Sequence, residues 1–383
     1  MKKIKIKYKL NKRGKIILIS LLFSLSVVTT VLIVGAIKSG KENDQQTVGT
    51  QTDITDEPSI TPTETQTTDE KNDTEPVLTV TPTPIIKASK FVMPQDGVRP
   101  VAVMIDNESD AVLPQGGIGE AQIVYEVITE YGATRYMTLF WDNLPAMVGP
   151  VRSSRHYFLD YVMDYDAIYA HIGWSDYAYR DLAEFEIDNI DGVTREAGGV
   201  YWDLTREKNN YHDSYTSAER LNKFISSAGY ETKTTQSIPF TYNKDDLDLS
   251  GAKAAEEVFI KYSTVSSSGF YYDSSQKNYK RTRLGEFQID RNTNETVRAK
   301  NIIIQFVKNE SIAGDKYGRQ ELYTTGTGNG YYITNGKCEE ISWKKDERTQ
   351  QTKYFNSRGQ KLTLNPGQTW IQIVSPNADV RVK

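Results

Sequence analysis

The chain predicts an α+β protein, with a mixed α/β domain over residues 91–250 followed by a mainly antiparallel β domain over 251–383. Three observations carry this expectation. Apolar strand-like runs alternate with helix-like segments in the first stretch. After about Ala252, short β-branched and aromatic runs recur at roughly ten-residue intervals between turn residues. Ahead of both, residues 38–90 are dominated by Thr, Asp, Glu, Gln and Pro, and hold too little apolar surface to offset the entropy of folding.

The segments follow in order. Residues 1–15 carry Lys2, Lys3, Lys5, Lys7, Lys9, Lys12, Arg13 and Lys15 with no acid among them, and the positive-inside rule places them in the cytoplasm. Residues 16–37 contain no charge. At about 1.5 Å per residue they can cross a hydrocarbon core of about 30 Å, and only a helix satisfies its own backbone there. The stretch reads as a transmembrane anchor or uncleaved signal. The alternative is cleavage at Val34-Gly35-Ala36, and either way the rest of the chain is exported. Residues 38–90 then form an extended stalk, kept open by proline and like charge.

In residues 91–250, Pro100–Asp106 reads as a buried strand ending on an acid. Ile123-Val124-Tyr125 leads a second run towards Glu126 and Glu130, and Thr134–Trp141 is a third strand. Arg152–Met163 reads as a helix, with Tyr157, Tyr161 and Tyr165 at four-residue spacing on one face. Ala167–Ile172 is a fourth strand. Helices are expected at Ser175–Phe185, capped by Ser175, and at Ser217–Ser227, capped by Thr216 or Ser217. In residues 251–383 the strand runs are Val258–Tyr262, Tyr279–Arg283, Asn301–Val307, Gln320–Thr325, Tyr331–Thr334, Ile341–Lys344 and Trp370–Val374. Asn335-Gly336 signals a type I′ hairpin, whose two central residues need positive φ. Gly326-Thr-Gly328-Asn-Gly330 lacks the following Lys and helix of a phosphate loop and reads as a hairpin.

Charge narrows the partners. Nine of the 46 lysines and arginines fall within residues 1–38, so beyond them 50 acids face 37 bases. Such an acidic ectodomain makes no nucleic-acid partner expected. The single cysteine, Cys338, excludes an internal disulfide framework and any lipid carried on a cysteine just after the apolar run.

The sharpest local cluster is Arg152, Ser153, Ser154 and Arg155. At a helix start, its free N–H groups, two guanidiniums and two hydroxyls would bind a carboxylate or phosphate. Its structural alternative has Ser153 capping the helix and the arginines pairing with acids such as Asp160 or Asp164. Ser175 lies where a strand runs into a helix, but Tyr177 replaces the second glycine of a nucleophile elbow, so it reads as a cap or a ligand contact. His171 and His212 are candidate proton carriers, and Asp106 and Glu126 candidate carboxylates. The histidines, His156 included, lack the spacing of a known metal motif, so no metal and no cofactor is expected. Salt bridges to Arg135, Arg152 or Arg155 would account for the acids without catalysis.

Five stretches together resemble a known family. They are Arg99-Pro-Val-Ala-Val-Met-Ile-Asp-Asn107, Ala121-Gln-Ile-Val-Tyr-Glu126, Gly149-Pro-Val-Arg-Ser-Ser-Arg-His-Tyr-Phe158, His171-Ile-Gly-Trp-Ser175 and Gly367-Gln-Thr-Trp-Ile371. Their order and spread over residues 90–383 resemble the YerB-like bacterial envelope proteins. The resemblance implies an exported Gram-positive protein of two domains, often lipid-anchored, with no established catalytic residues. This chain departs from that pattern in having no cysteine to lipidate after its apolar run.

The reading that follows is a membrane-anchored extracellular envelope protein, a binding or accessory module acting near the cell wall. Its expected partners are the membrane, through residues 16–37, and peptidoglycan or a wall-synthesis protein. The alternative is a hydrolase or transferase acting on a wall polymer.

Overall fold

The computed structural model describes residues 91–383 except 206, 208 and 209. The basic segment, the apolar span and the stalk expected over residues 1–90 lie outside the described residues. Among the described residues, no helix is long and apolar enough to cross a membrane.

The first strands are β1 (Val101–Asn107), β2 (Ile123–Ile128), β3 (Thr134–Phe140), β4 (Ile168–His171), β5 (Asn189–Asp191), β6 (Trp202–Asp203) and β7 (Ser214–Tyr215). Among them lie three helices, α1 (His156–Met163), α2 (Asp176–Glu184) and α3 (Ala218–Ala228). The later strands used below are β8 (Glu257–Lys261), β9 (Ser267–Asp273), β10 (Asn278–Arg283), β11 (Glu286–Phe287), β12 (Asn301–Phe306), β13 (Gly326–Thr334), β14 (Lys337–Lys345), β15 (Lys353–Asn356), β16 (Thr369–Val374) and β17 (Asp379–Val382).

β1 is buried along its whole length, as its unbroken apolar run requires of a strand covered on both faces. Val101, Val103 and Ile105 point into one core, which they share with Leu221 and Ile225 of α3 and with Val258, Ile260 and Phe270 of a second sheet. Ala102 and Met104 point into the other, with Tyr157, Phe158, Tyr161 and Val162 of α1. The result is three layers: α1 and α2, the main sheet, then α3 beside the second sheet, ordered β11-β10-β9-β8-β17.

The two sequence regions share the main sheet, whose order is β15-β14-β13-β12-β16-β2-β3-β1-β4-β5. The seam is the parallel pair β2–β16, in register from Ile123↔Thr369 to Val127↔Ile373. The described residues are mostly strands with three helices, and the change of texture near residue 250 does not break the sheet. β16 is parallel to β12 as well, so the later region is not purely antiparallel. Both strands carry apolar runs with buried neighbours on either side, and local pattern cannot say which strand those neighbours belong to.

Local expectations and structure agree where the chemistry is local. Asn335 and Gly336 have φ of 50° and 70° and turn β13 into β14. Ser175 and Ser217 accept from the N–H groups of Ala178 and Arg220 at the starts of α2 and α3. Two expectations are corrected. Gly326–Gly330 is not a hairpin but the first half of β13, paired with β14. A Cβ at Gly328 would collide with the Trp343 indole, and one at Gly330 with the Ile304 carbonyl, so the glycines serve close packing. The helix expected from Arg152 begins at His156, because residues 150–154 are extended and bonded as a strand. Many tyrosines belong to the core: Tyr125, Tyr136, Tyr157, Tyr161, Tyr169 and Tyr215 are fully buried.

Candidate functional site

β1 and β4 run parallel and pair only from Val101↔Ile168 to Val103↔Ala170 before parting. The extended segment Pro150–Ser154 fills the opening. On one side, Asp106 N–H donates to the Pro150 carbonyl (2.8 Å) and Arg152 N–H to that of Met104 (3.0 Å). On the other, Ile172 N–H donates to the Arg152 carbonyl (3.1 Å) and Ser154 N–H to that of Gly173 (2.9 Å). Gly149 admits the segment, since any Cβ there would press on the Tyr215 ring and the Ser214 carbonyl. The wedge places this sequence cluster at the carboxyl ends of parallel strands, where open α/β sheets bind their ligands.

Asp106 is the centre. Its carboxylate is buried, with Oδ2 2.8 Å from Nδ1 of His212 and 3.1 Å from Nε of Arg152. Oδ1 accepts from Glu108 N–H (2.9 Å), and Arg152 Nη2 donates to Glu108 Oε2 (3.1 Å). His212 comes from the loop joining β6 to β7, where the Asn210 side chain accepts its backbone N–H (3.0 Å). Burial alone would raise the Asp106 carboxyl. The His212 hydrogen bond and the charges of Arg135 and Arg152 outweigh it and hold Asp106 below the usual carboxylate range. The same hydrogen bond to Asp106, against partial burial, holds His212 above its usual 6.5.

The signs define a window. The Asp106 contribution to stability is present above its unfolded value of 3.8 and disappears as pH falls through the depressed folded value. The His212 contribution is full below 6.5 and disappears as pH rises through the raised folded value. The pair therefore stabilises the fold most between these limits. We expect the His212 imidazole, followed by NMR, to titrate above 6.5 and to titrate at lower pH in Asp106→Asn. An unchanged midpoint in that variant would show that the dyad does not form.

Beside the dyad, Arg135 Nη1 donates to the Ser153 carbonyl (2.7 Å) and hydroxyl (3.1 Å). Burial, then the neighbouring Arg155 charge, lowers Arg135 to about 10. Arg155 grips Glu130 with Nε and Nη2, so its fork is occupied inside the protein. Neither arginine of the sequence cluster pairs with Asp160 or Asp164, and Ser153 does not cap α1. Ser154 is buried within the wedge.

The structure separates the remaining candidates from the dyad. Glu126 is buried against Arg281 in the core between the sheets. His171 is fully buried, with Nδ1 2.9 Å from the Gly173 carbonyl, and burial pushes its pKa down. Ser175 caps α2. His156 lies 3.3 Å from Glu321. One grouping was not foreseen: donor atoms of Asp106, Glu108 and His212 all lie within 4.8 Å of one another, a spacing that could hold a cation. The Arg152 guanidinium already contacts both carboxylates there, so a metal ion would have to displace it.

Sequence reading also passed over Glu108 and Arg283. Arg283 of β10 donates to the Asn107 side chain (2.8 Å) and pairs with Asp110 (2.8 Å), bracing the end of β1 from the other half of the chain. Nothing local marks that role.

A family model described as protein of unknown function (DUF3048), N-terminal domain, matches residues 91–231, and the corresponding C-terminal domain model matches 258–371. The chain belongs to the DUF3048 family. A protein of Bacillus subtilis (strain 168) named "Putative lipoprotein YerB" is 32% identical over 293 residues, covering 73% of this chain and 82% of that protein. The crystal structure of the Bacillus subtilis YerB protein superposes with a TM-score of 0.65 at 29% identity, covering 77% of this chain and 99% of that one. The resemblance read from the sequence motifs is thereby shown, as is the two-part organisation, with the DUF3048 boundary between residues 231 and 258. Cys338 of this DUF3048 chain is buried in β14.

Proposed function

We propose that this DUF3048 protein is a binding module of the cell envelope. In this reading, residues 16–37 hold it to the membrane and residues 38–90 carry the folded part outward towards the wall. The wedge at the carboxyl end of β1 grips a carboxylate of a wall peptide or of a wall-synthesis protein. One observation carries the reading: Asp106 holds His212 and Arg152 side by side, while His212 Nε2 and Arg152 Nη1 have no partner among the described residues. Two adjacent donors of this kind suit a two-oxygen anion. Tyr211, next to His212 in the chain, is 63% exposed and offers an aromatic face to a ligand.

The purified protein is expected to bind soluble peptidoglycan fragments. Arg152→Ala with His212→Ala should weaken this by about tenfold or more, or roughly 1.4 kcal/mol. Full binding by the folded double variant would refute the site. The N-cap arginine is a control, because Arg155 already engages Glu130.

A second reading, a hydrolase or transferase acting on a wall polymer, draws on the same Asp106–His212 bond, which orients an imidazole as in general-base catalysis. Among the described residues, no serine, threonine or cysteine side chain hydrogen-bonds to His212, which favours binding. Incubation with wall material followed by mass spectrometry separates the two, since new products lost in His212→Ala would establish the enzyme.

A further inference from the structure

A groove of about 590 Å³ lies at the opposite end of the main sheet's strands, within the size range of ligand pockets. It lies where β2, β12 and β16 begin, lined by Glu120 just before β2, Lys300 just before β12 and Gln368 just before β16. Turn residues 275–278 and the segment 290–298 form its other wall. Both family-matched regions contribute, and neither Arg152 nor His212 lines it.

Its charges nearly cancel, with Glu120, Asp246, Asp290 and Glu295 against Lys277, Arg298 and Lys300, and most are held in place. Lys300 Nζ is 2.7 Å from Asp246 Oδ2 and donates to the Lys277 carbonyl (2.8 Å). Arg298 Nη1 donates to Asn278 Oδ1 (2.8 Å) and pairs with Asp273 (3.2 Å). Asp290 accepts from the N–H groups of Gly119 and Asn292, both at 2.8 Å. Glu120 Oε2 accepts from the Asn292 amide (2.8 Å). With Lys300 and Arg298 held by acids and only one carboxylate in excess, the groove offers no strong field to an anion or a polycation. Uncommitted atoms among the described residues are of both kinds: Glu120 Oε1 and the Glu295 carboxylate accept, the Lys277 ammonium donates, and the Gln276 amide does both. Burial, opposed by Asn292 and reinforced by the Asp290 charge, raises the Glu120 carboxyl above its usual range, so a ligand hydroxyl donating to it is favoured.

A row of donors and acceptors with only one negative charge in excess matches a ligand whose every group both donates and accepts. We infer that this groove binds a neutral, hydroxyl-rich oligosaccharide. The inference does not rest on the carboxylate site at the other end of the strands.

The test is calorimetric titration of the full-length protein, in a zwitterionic detergent, with tetra-N-acetylchitotetraose and with maltotetraose as probes. Saturable binding of at least one is expected. Gln276→Trp, on an exposed turn at the rim, should weaken it at least about tenfold by obstruction, and Glu295→Ala should weaken it by removing an acceptor. His212→Ala should leave it unchanged. Thermal unfolding checks that each variant is folded. No saturable binding of either probe at millimolar concentration would overturn the inference, as would full binding by folded Gln276→Trp or loss of binding in His212→Ala.

Discussion

Arg281→Ala is expected to lower the unfolding free energy by about 3–5 kcal/mol, the usual cost of removing one partner of a buried ion pair. Arg281 and Glu126 are both buried, 2.7 Å apart, and join β10 of the later region to β2 of the earlier one. Ser268 donates to the same carboxylate oxygen (2.8 Å) and Thr134 to the other (3.0 Å). The guanidinium also lies 4.3 Å from the Trp370 ring centroid and 5.1 Å from that of Tyr136. Alanine leaves the Glu126 charge desolvated and opens a gap against Trp370. Arg281→Met with Glu126→Gln keeps most of the volume, and the amide can accept from one hydroxyl and donate to the other, so it should recover at least half of the loss. Urea unfolding of the three proteins measures this. A single variant that loses less than about 1 kcal/mol would show that the pair does not tie the sheets together.

Lys345→Ala should cost a similar amount, about 3–5 kcal/mol, with a dependence on pH. The Lys345 ammonium is buried in β14, 2.6 Å from Asp164 and 3.0 Å from the Asp160 carbonyl, and so ties the end of α1 to the main sheet. Burial raises Asp164, while Lys345 and Thr352 oppose that rise. Without Lys345, the folded-state value climbs further above the unfolded one. Stability from a raised carboxyl is fully present below the unfolded value and disappears as pH rises through the folded value. The variant should therefore lose more at pH 8 than at pH 5. Equal losses at the two values would mean that Asp164 does not carry the penalty.

How much of this was legible depends on the range of each interaction. The Asn335-Gly336 turn and the Ser175 and Ser217 caps were readable because the physics is complete within four residues. β1 was readable because an unbroken apolar run ending on an acid has few other uses. β9 escaped notice because its Ser267-Ser268-Gly269 start reads as a turn, although Phe270-Tyr271-Tyr272 favours a strand and pairing with β8 and β10 extends it. The cluster around Arg152 was visible as a composition, but its geometry was misjudged. A helix start was expected, whereas β1 and the residues after β4 claim its backbone hydrogen bonds and extend it.

The candidate site shows the same division. Asp106, Arg152 and His212 were each singled out in the sequence, 46 and 60 residues apart along the chain. That His212 reaches Asp106 while His171 turns into the core is decided by the loop between β6 and β7 and by the Asn189 and Gly173 contacts. Residue order alone determined the apolar span, the charge balance, the local turns and caps and the family likeness, because each depends on neighbours in the chain or on bulk composition. Tertiary structure decided that both regions share a sheet, that Glu126 is a core partner of Arg281, and that, among the described residues, Asp106 is the one buried acid holding a partly exposed histidine. Those outcomes rest on burial and on contacts between residues far apart in sequence, and a local pattern encodes neither.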